Sequence, residues 1–442
     1  MDIAEAIRNA GIIGAGGAGF PTHVKVSCKA DVVIANGAEC EPLLQVDQIV
    51  MSKFADRIVL GMLEVIKHTG AKEGVFCLKK HYHDAVSAMK EAIKDKSNLS
   101  LKLFDSFYPA GDEQEMVYEV IGKVVPTGGL PLDVGAVVLN VSTLMNVADA
   151  IEGKPVTDKH VTVGGEVENP VTVNVPIGTP IGKLIEFAGG PLSSSVHSVI
   201  IGGPCMGRVS KDWDEPVAKT MGGVLVFRDD HSLLDKKKDD LARDIKLAKA
   251  VCCQCSLCTQ MCPRNALGLK VEPHRAMRAA ANGDGTLLGD VNGIFSCCDC
   301  GLCTYYACNF GLAPQMMMTR MKESLGKAGV KPWKEVARRV DRDYDIKKIP
   351  VSRLISRLGI RKYDVDSPLT ENTIAVDEVI IPLKMHIGVP SEAVVSKGER
   401  VEKDSLIADI PNEKLGAKVH ASISGTITEI DDKSIRISKA GG

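Results

Sequence analysis

The 442-residue chain is 45% hydrophobic and 25% charged, the composition of a globular protein able to bury real cores, and its length predicts about three domains. Lys+Arg 54 against Asp+Glu 56 leaves a formal net charge of −2 and aromatic residues make up only 4%, so no nucleic-acid footprint or base-stacking platform is expected. No apolar run approaches the roughly 18 residues of a membrane span, and Asp2 and Glu5 stand where a signal peptide needs a basic and then an apolar segment, so a cytoplasmic protein is expected.

Ile3, Ala6, Ile7 and Ala10 recur at helical spacing and predict a short first helix. A glycine loop follows, Gly14-Ala-Gly16-Gly17-Ala-Gly19, formally G-x-G-x-x-G, with Glu39 twenty residues past Gly19. A dinucleotide fold needs a strand before that loop and a helix after it. Here the preceding segment is helical in period, Pro21 interrupts any helix, and residues 20–30 are too few for a βαβ crossover. The loop keeps a second use beside that of a structural turn. Glycines without Cβ let successive N–H groups approach a phosphate, and Lys25 adds a point charge.

Asp31–Ala35 reads as a buried strand ending at Asn36-Gly37, followed by a helix near Gln48–His68, a strand Gly74–Leu78, a helix from about His83 to Lys94 and a strand Val134–Val141. Residues 1–153 are therefore an α/β domain. In 154–227 two alternating runs, His160–Val167 and Val171–Val175, joined by Glu168-Asn-Pro170 and followed by Thr179-Pro180 at a helix start, predict a β-grasp module. Arg228–Asp244, with Lys236-Lys-Lys-Asp-Asp240, reads as a charged link with a solvated helix face. Residues 228–329 carry most of the cysteines. Residues 330–375 are basic, weakly patterned and read as a linker, and 376–442 form short strands of a small β-sandwich.

Fourteen cysteines are the anomaly. Ten fall in two bursts, which in a chain without an export signal points to metal or redox chemistry rather than disulfides. Cys252-x2-Cys255-x2-Cys258-x3-Cys262-Pro263 is the bacterial ferredoxin run for a [4Fe–4S] cluster. The second burst is Cys297-x2-Cys300-x2-Cys303-x4-Cys308, with Asn309 in place of proline. By the two-cluster rule Cys308 completes the first cluster and Cys262 the second; the longer x4 spacing leaves open whether another cysteine replaces Cys308. A zinc ribbon would use four ligands and leave four well-spaced cysteines unexplained. Cys253 and Cys298 are spares within the bursts. Cys28, Cys77 and Cys205 read as core filling, and Cys40 as packing rather than a redox thiol.

Gly16-Gly-Ala-Gly-Phe-Pro-Thr22 with Lys25, Asn36-Gly-Ala-Glu-Cys-Glu-Pro42 and Asn140-Val-Ser-Thr-Leu-Met-Asn146 together resemble the flavin subunit of respiratory complex I, and more closely the RnfC component of the Rnf complex and its relatives. The resemblance implies FMN held by Gly16, Gly17, Gly19, Lys25, Asn36, Glu39, Asn140, Thr143 and Asn146, with Phe20 and Glu41 on the NADH side. Complex I has an aspartate where this chain has Ala38; Rnf-type relatives share the Gly-Ala-Glu-Cys-Glu-Pro form. The β-grasp segment resembles the SLBB module. Ile381–Gly388 through Val419–Gly425 resembles a barrel-sandwich hybrid that comes first in RnfC but last here, an order similar to PduS-type cobalamin reductases. The implied architecture is multidomain α/β plus β: a complex I flavin-subunit-like α/β domain, an SLBB module, a ferredoxin-like two-cluster domain and the hybrid.

The implied function is NADH oxidation through FMN and two [4Fe–4S] clusters to a corrinoid, inside a bacterial microcompartment whose shell, or an adenosyltransferase, would be a partner. The competitors are delivery of electrons to a proline- or glycine-type reductase, an Rnf-type component, and an iron–sulfur scaffold without flavin. Glu39 and Glu41 read as positioning groups rather than an acid/base pair, because hydride transfer to flavin needs no protein acid at carbon. Lys414 falls near the lysine modified in biotinyl domains but lacks flanking methionines and reads as a hairpin lysine. His81-x-His83 reads as exposed histidines, Met316-Met-Met318 as a helix wall, and residues 2–10 as an ordinary first helix rather than an encapsulation helix.

Overall fold

The computed structural model describes residues 2–193 and 196–439. Its first sheet has four parallel strands, ordered Leu99–Phe104, Glu73–Lys79, Val32–Gly37, Ala136–Asn140. The second and third are buried along almost their whole length, as expected where helices cover both faces. The chain runs outward from Val32–Gly37 through the next two strands, then returns to lay Ala136–Asn140 on the opposite flank of the first. That reversal is a topological switch point, and the crevice outside the carboxyl ends of the two strands is where such sheets receive ligands. Asn36 and Asn140 are register partners at those ends.

The expected helix near Gln48–His68 is two helices, Val46–Lys53 and Ala55–Thr69. Phe54 leaves helical backbone between them, its ring 5.8 Å from that of His160 in the next domain. Ala55–Thr69 packs on the helix Val141–Ile151 at Gly61, where a Cβ would lie 2.0 Å from the Leu144 carbonyl oxygen. The strand Leu99–Phe104 was not anticipated: Leu-Ser-Leu-Lys-Leu alternates cleanly, but follows a lysine-rich turn that hides its start.

Asp158–Gly165 pairs antiparallel with Val171–Pro176, the helix Ile181–Phe187 follows, and Gly223–Arg228, His197–Ile201 and Arg208–Ser210 complete a five-stranded β-grasp sheet. At the C-terminal end a four-stranded and a three-stranded sheet form the sandwich. Its Val379, Ile381, Ile427 and Ile437 share one continuous core with Ile7, Ile12 and Ile58 of the flavin domain. The first helix, Ile3–Asn9, is thus docked through Ile7 as part of that core.

Lys219 and His420 lie where these domains meet. Lys219 Nζ donates to the carbonyls of Gly11 (2.7 Å) and Lys418 (2.9 Å), one from each neighbouring domain. Burial, reinforced by the charges of Lys219 and Lys418, pushes the His420 imidazole down from 6.5 to about 3. Between those values the unfolded chain binds the extra proton, so stability is lost as pH falls through that window. At ~1.4 kcal/mol per pH unit, His420→Gln is expected to remove on the order of 2 kcal/mol of the acid destabilisation between pH 6.5 and 5. The check is the thermal midpoint at the two pH values, which should fall less in the variant than in the wild type.

Residues 330–375 are not a linker but a strap. Glu335 exchanges backbone hydrogen bonds with Thr127, Arg338 and Asp341 donate to Gly268 and Ala266, and Ile349–Pro350 pairs with Phe107–Tyr108. The helix Val351–Leu358 buries Leu354, Ile355 and Leu358 on one face. Tyr363 and Lys362 both donate to Glu166, and Thr172 donates to the Pro368 carbonyl. The strap is basic in sequence because its outer face is solvated, while apolar residues at i, i+1 and i+4 sew it to three domains. The charged run before the cysteines also differs from expectation at one residue. Lys237 turns inward, donating to the carbonyls of Cys205 and Gly207 with its ammonium 5.4 Å from the Tyr305 ring centre.

Candidate functional site

The glycine loop lies at the switch point. It links the helices Ile3–Asn9 and Thr22–Val26 through a bridge between Ile13 and Pro21, with no strand before it among the described residues, so the dinucleotide fold's strand–loop–helix order is not formed here. Behind the loop, Thr143 Oγ1 accepts from the Ala15 N–H (3.0 Å) and the buried Lys159 donates to the Ala15 carbonyl (3.2 Å). In front, Gly16, Gly17 and Ala18 are exposed, and their N–H groups bond to no protein atom among the described residues. Gly17 has φ +113° and nothing within 4 Å of where a Cβ would stand, whereas a Cβ on Gly16 would touch Asn140 at 3.4 Å. Exposed glycine N–H groups without a protein partner are the donor type an anion nest uses. Lys25 stands beside it in a loose 3.4 Å pair with Glu113.

The other predicted residues divide by what they touch. Asn36 donates to the Gly111 carbonyl (2.9 Å) and accepts from the Ala38 N–H (3.2 Å). Asn140 caps the helix Val141–Ile151 at Ser142 and donates to Asp47 (2.8 Å). Glu39 accepts from Asp47 N–H (3.0 Å) and Gln48 N–H (3.4 Å) at the start of Val46–Lys53, and burial followed by the Asp47 charge raises its carboxyl. These three, with Thr143, shape the crevice through protein partners. Gly19 and the half-buried Phe20 sit at the far end of the loop, where a Gly19 Cβ would meet Thr220 at 3.0 Å and Met385 at 3.2 Å.

Asn146, six residues along its helix from Asn140, lines a cavity of about 260 Å³ with Phe54 and His160, together with Ser142, which Asn140 caps, and Lys159, which bonds the glycine loop. Glu41 turns to the β-grasp domain, accepting from the N–H groups of Cys205 (2.8 Å) and Met206 (3.1 Å) and lying 2.8 Å from the Tyr108 hydroxyl. Gly203 permits this approach, because a Cβ there would fall 2.1 Å from Glu41 Oε2.

The segment Tyr108–Glu115 is the part of the site that the local sequence pattern did not reveal. Gly111 closes the crevice against Asn36, Glu113 reaches Lys25, and Asp112 caps the helix Glu113–Ile121 at Gln114 and Glu115. The Pro-Ala-Gly-Asp turn with an acidic cap was the available signal. The same segment grips the cysteine domain. Tyr108 Oη lies 2.7 Å from the Cys300 carbonyl, and Arg264, two residues after Cys262, donates through Nε (2.8 Å) and Nη2 (2.7 Å) to Asp112. Both partners of this pair are buried. Arg264→Ala would leave Asp112 uncompensated and is expected to cost about 3–5 kcal/mol, read by denaturant unfolding, whereas Arg264→Ala with Asp112→Ala should recover part of it.

All fourteen cysteines are free. Burial and then the neighbouring thiols Cys308, Cys255 and Cys252 push Cys258 up to about 12. Burial likewise raises Cys303, next to Cys297 and Cys262, and Cys300 lies against Cys298, Cys262 and Cys303. Cys258 thus has Cys308, Cys255 and Cys252 as thiol neighbours, while Cys262, Cys297 and Cys298 neighbour Cys300 and Cys303. Cys298 faces Asp112 and Arg264. Among the described residues no three His, Cys, Asp or Glu side chains close around one ion position. A donor set of thiols alone fits [4Fe–4S] cubanes, which would bind each of the eight spaced cysteine thiolates at its own iron.

Family models match the whole architecture: the Nuo51 FMN-binding domain at 7–149, the SLBB domain at 160–209, the 4Fe-4S dicluster domain at 251–313 and the RnfC barrel sandwich hybrid domain at 360–440. The chain is 37% identical over 442 residues to the cobalamin reductase PduS of Citrobacter freundii, covering 98% of this chain and 96% of that protein. It belongs to the PduS family. PduS of Salmonella typhimurium is equally similar, at 37% over 437 residues with 99% and 96% covered. One component of the Na(+)-translocating ferredoxin:NAD(+) oxidoreductase complex of Acetobacterium woodii is 36% identical over 267 residues, spanning 59% of this chain and 57% of that protein. This PduS-family chain is thus an oxidoreductase with an FMN-binding domain and a two-cluster [4Fe–4S] domain. No helix among its described residues is long and apolar enough to cross a membrane.

Proposed function

We propose that this chain is an NADH-dependent cobalamin reductase. The glycine loop would hold FMN, which when bound would supply hydride acceptance from NADH and one-electron release, and the cysteine bursts would hold [4Fe–4S] clusters that would supply one-electron transfer onward. The chain's own residues divide that work. The N–H groups of Gly16, Gly17 and Ala18, with Lys25, bind the phosphate end, while Asn36, Asn140 and Thr143 fix the loop around it.

The observation that carries this reading is the double use of Tyr108–Glu115, one wall of the flavin crevice and also the clamp on Cys300 and Arg264. It makes the group of Cys262, Cys297, Cys300 and Cys303 the cluster that receives electrons from flavin. The group of Cys252, Cys255, Cys258 and Cys308, with Cys255 exposed, becomes the exit. A corrinoid reduced to the Co(I) level is a strong nucleophile consumed by alkylation, so an adenosyltransferase is the partner this product calls for, and a microcompartment shell enclosing both extends the same reading.

The test is anaerobic NADH oxidation with hydroxocobalamin, ferredoxin and a generic dye as acceptors. Hydroxocobalamin reduction is expected. Turnover with ferredoxin and dye but no corrinoid would instead make the chain a carrier for a protein acceptor.

A further inference from the structure

The outer face of the strap helix carries an unpartnered cationic groove beside the exit cluster. Arg353, Arg357 and Arg361 project at i, i+4 and i+8 from Val351–Leu358 and the turn after it, opposite the buried Leu354, Ile355 and Leu358. With Ser352, Ser356 and Tyr306 they line an open groove of about 550 Å³. Arg357 Nη2 donates to Asn309 Oδ1 (3.1 Å) and lies 3.5 Å from the carbonyl of Cys308. Arg361 donates to Ser356 Oγ (2.9 Å), and Arg353 has no polar partner among the described residues. Lys236 adds its charge next to Arg357 and Cys308. No carboxylate pairs with any of these four cations among the described residues, in a chain whose net charge is −2. Other cations of this surface are paired, as in Arg320 with Asp239 and Lys348 with Glu119, or stand alone among the described residues, as Arg278 and Arg342 do; what sets this groove apart is that three arginines converge on one opening.

We propose that this groove binds the phosphodiester of the corrinoid's nucleotide loop and so seats the acceptor against the Cys308 side of the exit cluster. The proposal rests on the cobalamin-reductase reading above. A corrin ring is fringed by neutral amides, and the phosphodiester is its fixed negative group, which matches guanidinium forks flanked by hydroxyl donors. The groove's volume of about 550 Å³ lies within the ~300–1,000 Å³ of small-molecule sites, and its open mouth leaves room for the corrin ring to lie outside it while the phosphodiester enters. One electron then leaves the reduced cluster and enters cobalt. No bond to the protein forms or breaks.

The test is an anaerobic absorbance titration of the holoprotein with hydroxocobalamin, with cobinamide (the same ring without the nucleotide loop) and with inorganic phosphate as competitor. Wild type is expected to bind hydroxocobalamin at least tenfold more tightly than cobinamide, with phosphate competing. Arg353→Gln and Arg357→Gln should each weaken hydroxocobalamin about tenfold or more, leave cobinamide unchanged and preserve the cluster EPR signals. Lysine at the same positions should restore part of the affinity. Equal affinity for the two corrinoids, or glutamine variants with unchanged affinity, would overturn the assignment, as would variants that lose only an acidic protein partner. If the wild type reduces hydroxocobalamin and the glutamine variants do so with unchanged KM, the groove assignment alone fails. If NADH supports dye reduction but no corrinoid reduction in wild type, the cobalamin-reductase reading fails with it.

Discussion

Gly17→Ile is expected to yield a folded protein with its iron intact and less than about a tenth of the wild-type FMN. Gly17 has φ +113°, a backbone region in which a β-branched residue is an outlier costing ~1–3 kcal/mol. No protein atom lies within 4 Å of its Cβ position, so the new side chain meets the space in front of the nest rather than the core. Strain in the loop and blockage of the phosphate act together, and 1.4 kcal/mol is already tenfold in affinity. Flavin and iron analysis of the purified variant checks this. Full retention of flavin would place the phosphate elsewhere.

Cys258→Ala is the second large effect. Cys258 has Cys308, Cys255 and Cys252 as thiol neighbours, and a cubane needs all four corners. Iron should fall from about eight to about four per chain, with the EPR signal of one cluster lost. NADH should still bleach the flavin, because the clamp of Tyr108 and Asp112 grips the other group. Corrinoid reduction should fall to background. Loss of flavin and all iron together would mean that the domain had unfolded, and eight irons retained would remove Cys258 from the ligand set.

Much of this was legible in the sequence where a local pattern has one physical meaning. The cysteine spacings, the alternation of Val171–Val175 and the apolar run Val32–Ala35 each dictate a local structure, and the chain order of the modules followed from them. The glycine loop was legible as something other than a dinucleotide fold, because Pro21 and the short segment after it leave no room for a βαβ crossover. Tyr108–Glu115 was not legible. Its role comes from contacts spanning 75 to 192 residues, to Asn36, Arg264 and Cys300, which no local spacing encodes. The strap failed for the same reason. A basic, Gly-poor stretch with one short amphipathic helix looks like a linker until Tyr108, Thr127 and Glu166 supply its partners. Glu41 shows the limit of motif reasoning. Its neighbours in sequence line the crevice, but a turn toward Cys205 carries its side chain to the β-grasp domain.

If flavin and two clusters on one chain form a single electron path, electrons given to one end must appear in order along it. Anaerobic addition of NADH to the purified holoprotein, followed by visible absorbance and EPR, reads that order. The flavin band is expected to bleach first and the cluster signals to change afterwards, with hydroxocobalamin then drawing the electrons out. Iron and sulfide without a flavin band, or a flavin that NADH bleaches without any electron reaching the clusters or the corrinoid, would contradict a single path.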